Sequence, residues 1–262
     1  MGQENEIMSA YTVVFDYLVH LGPGDSATTR DLVERLRSDL PPEPRVADFG
    51  CGVGASALVL ARSLPRAHVL AVDSHAPFIA RLESTANAHG FGERISAVVG
   101  DMMEPPPLEG VSGEFDLIWS ESSIYSIGRA NAFTCWRPLL KPGSWLVFSD
   151  VVLQCEPTAR SDKVSAFWAK EYPDITTTDA IVDELIAAGF NPLEPVLSGR
   201  QCWSNYYEPL RERLRLLVKH GDYPQALIDL MAEFDREIDV FDRTGDEVAL
   251  SFFLARRDSI PE

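Results

Sequence analysis

The run Val46-Ala-Asp-Phe-Gly-Cys-Gly-Val-Gly-Ala55 constrains the fold of this chain more than any other stretch. A short apolar segment, Arg45–Phe49, feeds glycines 50, 52 and 54 and then a stretch with helical spacing, Ala55–Ser63. Glycines at such a junction let the backbone turn sharply. They also let a ligand approach the amides at the start of the helix without meeting a Cβ. Nineteen residues after Gly54, the next apolar segment ends in Asp73. A carboxylate at that position can accept both hydroxyls of a ribose.

Short β-rich runs alternate with amphipathic stretches from here on, the pattern of a parallel sheet covered by helices on both faces. The predicted strands are Arg45–Phe49, His68–Asp73, Ile95–Val99, Phe115–Ser120 and Ser144–Val152, then Pro192–Leu197 and Val248–Ala255. The predicted helices between and after them are Ala55–Ser63, Pro77–Ala88, Arg129–Leu140 and Thr177–Ala188. Met8–Leu21 and Thr28–Leu36, the latter capped by Thr28, precede the sheet. Gln201–Gly245 has apolar residues on one face of each of two helices. The basic run Arg211, Arg213, Arg215 and Lys219 in the first helix reads as pairing with acids of the second. The expectation is one α/β domain over residues 1–262, with a Rossmann-like, seven-stranded, mostly parallel sheet whose last strand is antiparallel. Residues 1–44 supply N-terminal helices, 45–155 the ligand-binding core, and 201–245 a helical insert between strands six and seven.

Charge narrows the partners. Twenty-three Lys and Arg against 40 Asp and Glu leave a net charge of −17. Such a surface repels a phosphate backbone or an anionic membrane, so nucleic acid and membrane are not expected partners. No uncharged apolar run is long enough to span a bilayer, and the opening MGQENEIMSA lacks the basic start of a secretory signal. A cytoplasmic location is the expectation. Cys51, Cys135, Cys155 and Cys202 are scattered without metal-ligand spacing, so no metal site is expected.

The spacing Gly50-x-Gly52-x-x-Ala55 also fits the dinucleotide fingerprint, and a nicotinamide-dependent dehydrogenase is the competing reading. Asp48 argues against it, because a carboxylate just before the first glycine repels a pyrophosphate and attracts an ammonium group. The wider pattern resembles class I methyltransferases that use S-adenosylmethionine. The glycine loop with Asp48 is similar to their first motif, Val69–Asp73 to the second, and Gly100-Asp101-Met102 to the turn that contacts adenine. Phe115–Glu121 is similar to the fourth strand and Leu139–Gly143 to the turn before the fifth.

Nearly the whole chain resembles a bacterial small-molecule subgroup of that family. The likeness rests on Gly22–Ser26 with Thr29-Arg30, Trp119–Gly128, Phe167-Trp168, Tyr172-Pro173, Cys202-Trp203 and Tyr206-Tyr207. It departs at Ser122 and Ser144, where relatives carry glycine. The resemblance implies S-adenosyl-L-methionine as cofactor, held by Asp48, Gly50, Cys51, Gly52, Gly54, Asp73, Ser74, Asp101, Met102 and Ser120. It implies methyl transfer to a small organic acceptor whose atom is open, the alternative being a non-catalytic protein that binds the cofactor. Glu121 and Tyr125, past the fourth strand, are the candidate catalytic residues, with a carboxylate pairing or capping role and an ordinary core aromatic as the plainer readings. Trp203, Tyr206 and Tyr207 are either walls of the acceptor pocket or anchors of the insert, which is expected to form a lid.

Overall fold

The computed structural model describes residues 2–105, 115–154, 162–219, 222–244 and 247–259. Cys155 and the segment 106–114 lie outside the described residues. Four parallel strands make one half of the sheet, with β3 at its edge: β1 (Arg45–Phe49), β2 (His68–Asp73), β3 (Ile95–Val99) and β4 (Phe115–Ser120). β5 (Leu140–Leu153) extends them in parallel beside β4. Val46–Phe49 and all of β4 are buried on both faces, which explains why they read as continuous apolar runs rather than alternating ones.

The far edge differs from the expected seven strands. The predicted sixth strand, Pro192–Leu197, is two short pieces, β6 (Phe190–Pro192) and β7 (Val196–Leu197), and both pair antiparallel with β8 (Val248–Arg257). Glu194-Pro195 separates them, and proline has no N–H to give a ladder. The sheet therefore has eight strands, in the order β3-β2-β1-β4-β5-β8-β6 with β7 beside β8. β8 is antiparallel to β5 from Trp145↔Arg256 to Leu153↔Val248.

Helices α3 (Ala55–Ser63), α4 (Ala76–Ala88), α5 (Arg129–Trp136) and α7 (Thr178–Ala187) accompany the sheet, and α7 is capped by Thr177. A further helix, α6 (Asp162–Glu171), has no counterpart among the predicted ones. At the N-terminus α1 (Gly2–Val14) stops seven residues short of the predicted Leu21, and Tyr17 takes a left-handed φ of 66° that turns the chain away. The cap of α2 (Ser26–Leu36) is Asp25 rather than Thr28: its carboxylate accepts the Thr28 N–H at 3.1 Å and the Thr28 hydroxyl at 3.0 Å.

The insert is the helix pair α8 (Gln201–Val218) and α9 (Gln225–Thr244). Of the basic run, Arg211 pairs with Asp242 of α9 at 2.9 Å, whereas Arg213 donates to the Val13 carbonyl at 2.8 Å, at the C-terminal end of α1. Phe234 of α9 packs on Tyr11 and Phe15, with ring centroids 6.2 and 5.3 Å apart. Asn205 of α8 donates to the Gly24 carbonyl at 2.9 Å. The insert thus seats on α1 and on the loop before α2.

Gly54 shows how closely the core is drawn around the glycine loop. Its φ is 90°, and a Cβ there would lie 2.1 Å from Leu82 Cδ1 of α4. Gly54→Ala is expected to destabilise the fold by roughly 2–4 kcal/mol, from left-handed strain together with overpacking. A denaturant midpoint equal to that of the parent would contradict this packing role.

Candidate active site

The first strand and its glycines build the floor of the site. The N–H groups of Gly50 and Cys51 donate to the Val72 carbonyl at 2.8 and 3.1 Å, so the loop is stitched to the end of β2. Gly50 and Gly52 adopt φ of 70° and 54°, values that favour residues without a Cβ. A Cβ on Gly50 would sit 2.4 Å from that of Ser123.

Asp73 closes the second side. One of its oxygens accepts the Gly52 N–H at 2.8 Å and the other accepts the His75 N–H at 2.9 Å. Each carboxylate oxygen has a further lone pair, so two neighbouring hydroxyls can still be accepted side by side. Beside it opens a cavity of about 720 Å³ whose wall includes Gly50, Cys51, Gly52, Asp73, Ser74, Asp101, Met102, Glu121 and Tyr125. Asp101 accepts the Met103 N–H at 2.8 Å, and Trp136 Nε1 donates to the Met102 carbonyl at 2.7 Å, which fixes that turn.

Three predicted contacts sit elsewhere. Ser120 is fully buried behind the wall, its Oγ 2.7 Å from that of Ser123, and Ser123 is the residue that faces the cavity. Gly54 serves the packing of α3 on α4 and is not in the wall. Asp48 is fully buried below the loop, where Oδ2 accepts the Ser56 hydroxyl at 2.7 Å and Oδ1 has no hydrogen-bond partner among the described residues. Burial, with repulsion from Glu121 and Asp73 against the help of Ser56, pushes its carboxyl up to about 7.

Glu121 follows β4. Its Oε2 accepts the Thr29 hydroxyl at 3.0 Å and Trp119 Nε1 at 3.2 Å. Burial raises its carboxyl to about 7 against those two hydrogen bonds, with Asp25 adding repulsion. A Cβ on Gly24 would lie 2.7 Å from Glu121 Oε1, so the loop before α2 presses on this carboxylate. Tyr125 is 49% exposed and lines the cavity. Its ring meets that of Tyr172 at 6.0 Å. Tyr172 is anchored in turn: its hydroxyl donates to Asp150 at 2.7 Å and accepts from Arg129 at 2.6 Å.

Trp203, Tyr206 and Tyr207 do not line the cavity. They are buried in an aromatic stack with Phe241, at centroid separations of 4.7 Å for Trp203 and 4.9 Å for Tyr207. The missing wall comes from the N-terminus instead: Met8, Tyr11, Phe15, Val19, His20 and Leu21 face the cavity. Thr12 Oγ1 lies 2.7 Å from His75 Nε2, so α1 is tied across the mouth to the residue that follows Ser74. The sequence places a helix at Met8–Leu21 ahead of the sheet but carries no signal for what it covers.

An open, mostly parallel α/β sheet with a glycine loop and an acid at the ends of its first two strands is a Rossmann-like fold, in which ligands bind at the C-terminal ends of the strands. Residues 46–143 match the methyltransferase domain family. The chain is 30% identical over 128 residues to a release factor glutamine methyltransferase of Chlorobaculum tepidum, covering 48% of this chain and 38% of that one. It is 28% identical over 120 residues to a trans-aconitate 2-methyltransferase of Streptomyces avermitilis, covering 45% and 43%. The chain thus spans about two-fifths of the length of these relatives. A methyltransferase of Geobacter sulfurreducens solved with S-adenosyl-L-homocysteine superposes with a TM-score of 0.80 at 17% identity, over 94% of this chain and 97% of that one. The matched residues 46–143 carry the glycine loop, Asp73, Asp101 and Glu121. α1 and the insert lie outside the matched span.

The raised Glu121 pKa has a measurable sign. The unfolded carboxyl titrates near 4.5 and the folded one near 7. Its contribution to stability is fully present below 4.5, because the carboxyl is protonated in both states, and is lost as pH rises through 7. Glu121→Gln keeps an acceptor for Thr29 and Trp119 and is expected to reduce the fall in stability between about pH 5 and 8 by something on the order of 1–3 kcal/mol. Parallel stability curves for the variant and the parent would contradict the burial of this charge.

Proposed function

We propose that the chain binds S-adenosyl-L-methionine in the cradle of Gly50–Gly52 and Asp73 and transfers its methyl group to a small organic acceptor. The observation that carries this reading is the Asp73 carboxylate, fixed by two backbone N–H groups with one lone pair still open on each oxygen. The fit extends further. Buried Asp48 has an orphaned oxygen, and Asp101 and Glu121 add negative charge along the cavity. Such a lining suits a ligand with ammonium and sulfonium charges and disfavours a pyrophosphate. Met102 supplies a polarizable surface for an adenine ring.

The bound sulfonium supplies an electrophilic methyl group, so the protein mainly has to hold the acceptor in line and keep water out. α1 performs the exclusion: it crosses the mouth, is tied by Thr12 to His75, and is backed by α9. The insert therefore acts as the brace of a lid whose inner face is α1. A cavity covered in this way supports a small acceptor over a folded protein. Glu121, with a carboxyl near 7, is suited to take a proton from an acceptor hydroxyl or carbon acid at neutral pH.

Asp73→Ala is expected to weaken S-adenosylhomocysteine binding by roughly 1.5–3 kcal/mol, the scale of hydrogen bonds to a charged acceptor. Isothermal titration calorimetry measures it, with NADH as the comparison ligand. Unchanged affinity in a folded Asp73→Ala variant, or tighter binding of NADH to the parent, would overturn the assignment.

A further inference from the structure

The loop between α1 and α2 brings a histidine up to the carboxylate that follows β4. His20 and Glu121 both line the main cavity. A Cβ on Gly24 would lie 2.7 Å from Glu121 Oε1 and 3.0 Å from His20 Nδ1. One atom can therefore stand within hydrogen-bond reach of both groups. Among the described residues no hydrogen bond joins the two directly, and the His20 ring forms none with any other. Glu121 Oε2 is taken by Thr29 and Trp119. A carboxylate oxygen has two lone pairs, so Oε1 keeps one for a ligand even beside the Asp25 backbone. Burial lowers the His20 imidazole below its ordinary value against the pull of Asp25, so the ring is uncharged at neutral pH.

The fold holds this gap in place. Ser122 Oγ donates to the Pro23 carbonyl at 2.5 Å, the Gly24 N–H donates to the Cys202 carbonyl at 3.0 Å, and Asn205 donates to the Gly24 carbonyl at 2.9 Å. The loop is thus clamped between the turn after β4 and the start of α8. Glycine at position 24 leaves open the space that a side chain would fill. Met8, Tyr11, Phe15, Val19 and Leu21 give the same cavity an apolar wall. A ligand that fits both parts has an apolar body and one small polar group.

We propose that His20 is a further catalytic residue and that the acceptor is a hydroxyl compound with an apolar body, its oxygen held between a proton on His20 Nδ1 and the Glu121 carboxylate. The proposal deepens the methyl-transfer reading above and rests on it. The hydroxyl gives its hydrogen to Glu121 Oε1 and accepts one from His20. Oxygen has two lone pairs, so one remains for the methyl carbon; an amine nitrogen has a single pair and cannot both accept from His20 and attack. As the O–C bond forms, the O–H bond breaks and its proton passes to Glu121. The pair of the broken C–S bond stays on sulfur, which leaves S-adenosylhomocysteine. His20 keeps its proton throughout and fixes which lone pair faces the methyl group.

Calorimetry on the chain saturated with S-adenosylhomocysteine tests it with phenol, aniline and fluorobenzene, which share a ring and differ in the group that would enter the gap. Phenol is expected to bind at least about tenfold tighter than fluorobenzene and at least about threefold tighter than aniline. His20→Leu is expected to erase this preference, and His20→Asn, whose amide N–H can replace that of Nδ1, to retain it. Both variants are expected to keep S-adenosylhomocysteine affinity within about threefold of the parent. In the ¹⁵N-histidine-labelled parent, phenol is expected to shift the His20 Nδ1 signal while that nitrogen stays protonated. Equal binding of the probes, no phenol binding up to about 20 mM, an unaltered preference in His20→Leu, its loss in His20→Asn, or an unprotonated Nδ1 would overturn the proposal. Should His20→Leu fail to fold, Gly24→Ala replaces it by placing a methyl group in the gap, and unchanged phenol binding overturns the proposal. Failure of the parent to bind S-adenosylhomocysteine counts instead against the cofactor assignment.

Discussion

The carboxylate of Asp73 holds together the parts on which the site depends. By accepting N–H groups from Gly52 and His75 it fastens the glycine loop to the end of β2. His75 then anchors α1 through Thr12, and α1 carries the aromatic contacts to α9. One buried-edge acid thus connects the cofactor cradle, the cover of the cavity and the insert. Its geometry requires the glycines, because the left-handed turn at Gly50 and Gly52 is what brings the loop amides to it.

A second constraint is the concentration of acid at one end of the sheet. Asp48 and Glu121 are both raised to about 7, largely by burial, and Asp48 is further raised by Glu121 and Asp73. Burying these carboxylates opposes folding at neutral pH. A chain that keeps them there gains a pocket tuned for positive charge. Asp48 Oδ1, buried and without a hydrogen-bond partner among the described residues, repeats this theme below the loop.

β1 to β4 and α3 were legible to the residue in the sequence, since each is a short apolar run closed by glycine, an acid or a polar turn. The cradle was legible for the same reason: Gly50, Gly52 and Asp73 lie at strand ends. What escaped depends on contacts between distant segments. The end of α1 is set by Tyr17 turning back, and the division of the sixth strand by its pairing with β8. Ser123 rather than Ser120 faces the cavity because of how the chain turns after β4. Gly54 matters through Leu82, twenty-eight residues later. The wall contributed by α1 has no local signature, because an apolar helix face does not reveal what it covers. The aromatic residues of the insert, expected either in the acceptor wall or as anchors of the insert, are packed on one another and on Phe241.

The central claim is that this cradle presents a methyl donor to a small acceptor. Incubation with S-adenosylmethionine carrying a ¹³C-methyl group and a metabolite extract, followed by mass analysis, tests it directly. The account predicts a small molecule that gains one labelled methyl in step with release of S-adenosylhomocysteine, and loss of both in Asp73→Ala. Tight binding of S-adenosylhomocysteine without transfer of label to any small molecule, or label found only on protein, would contradict it.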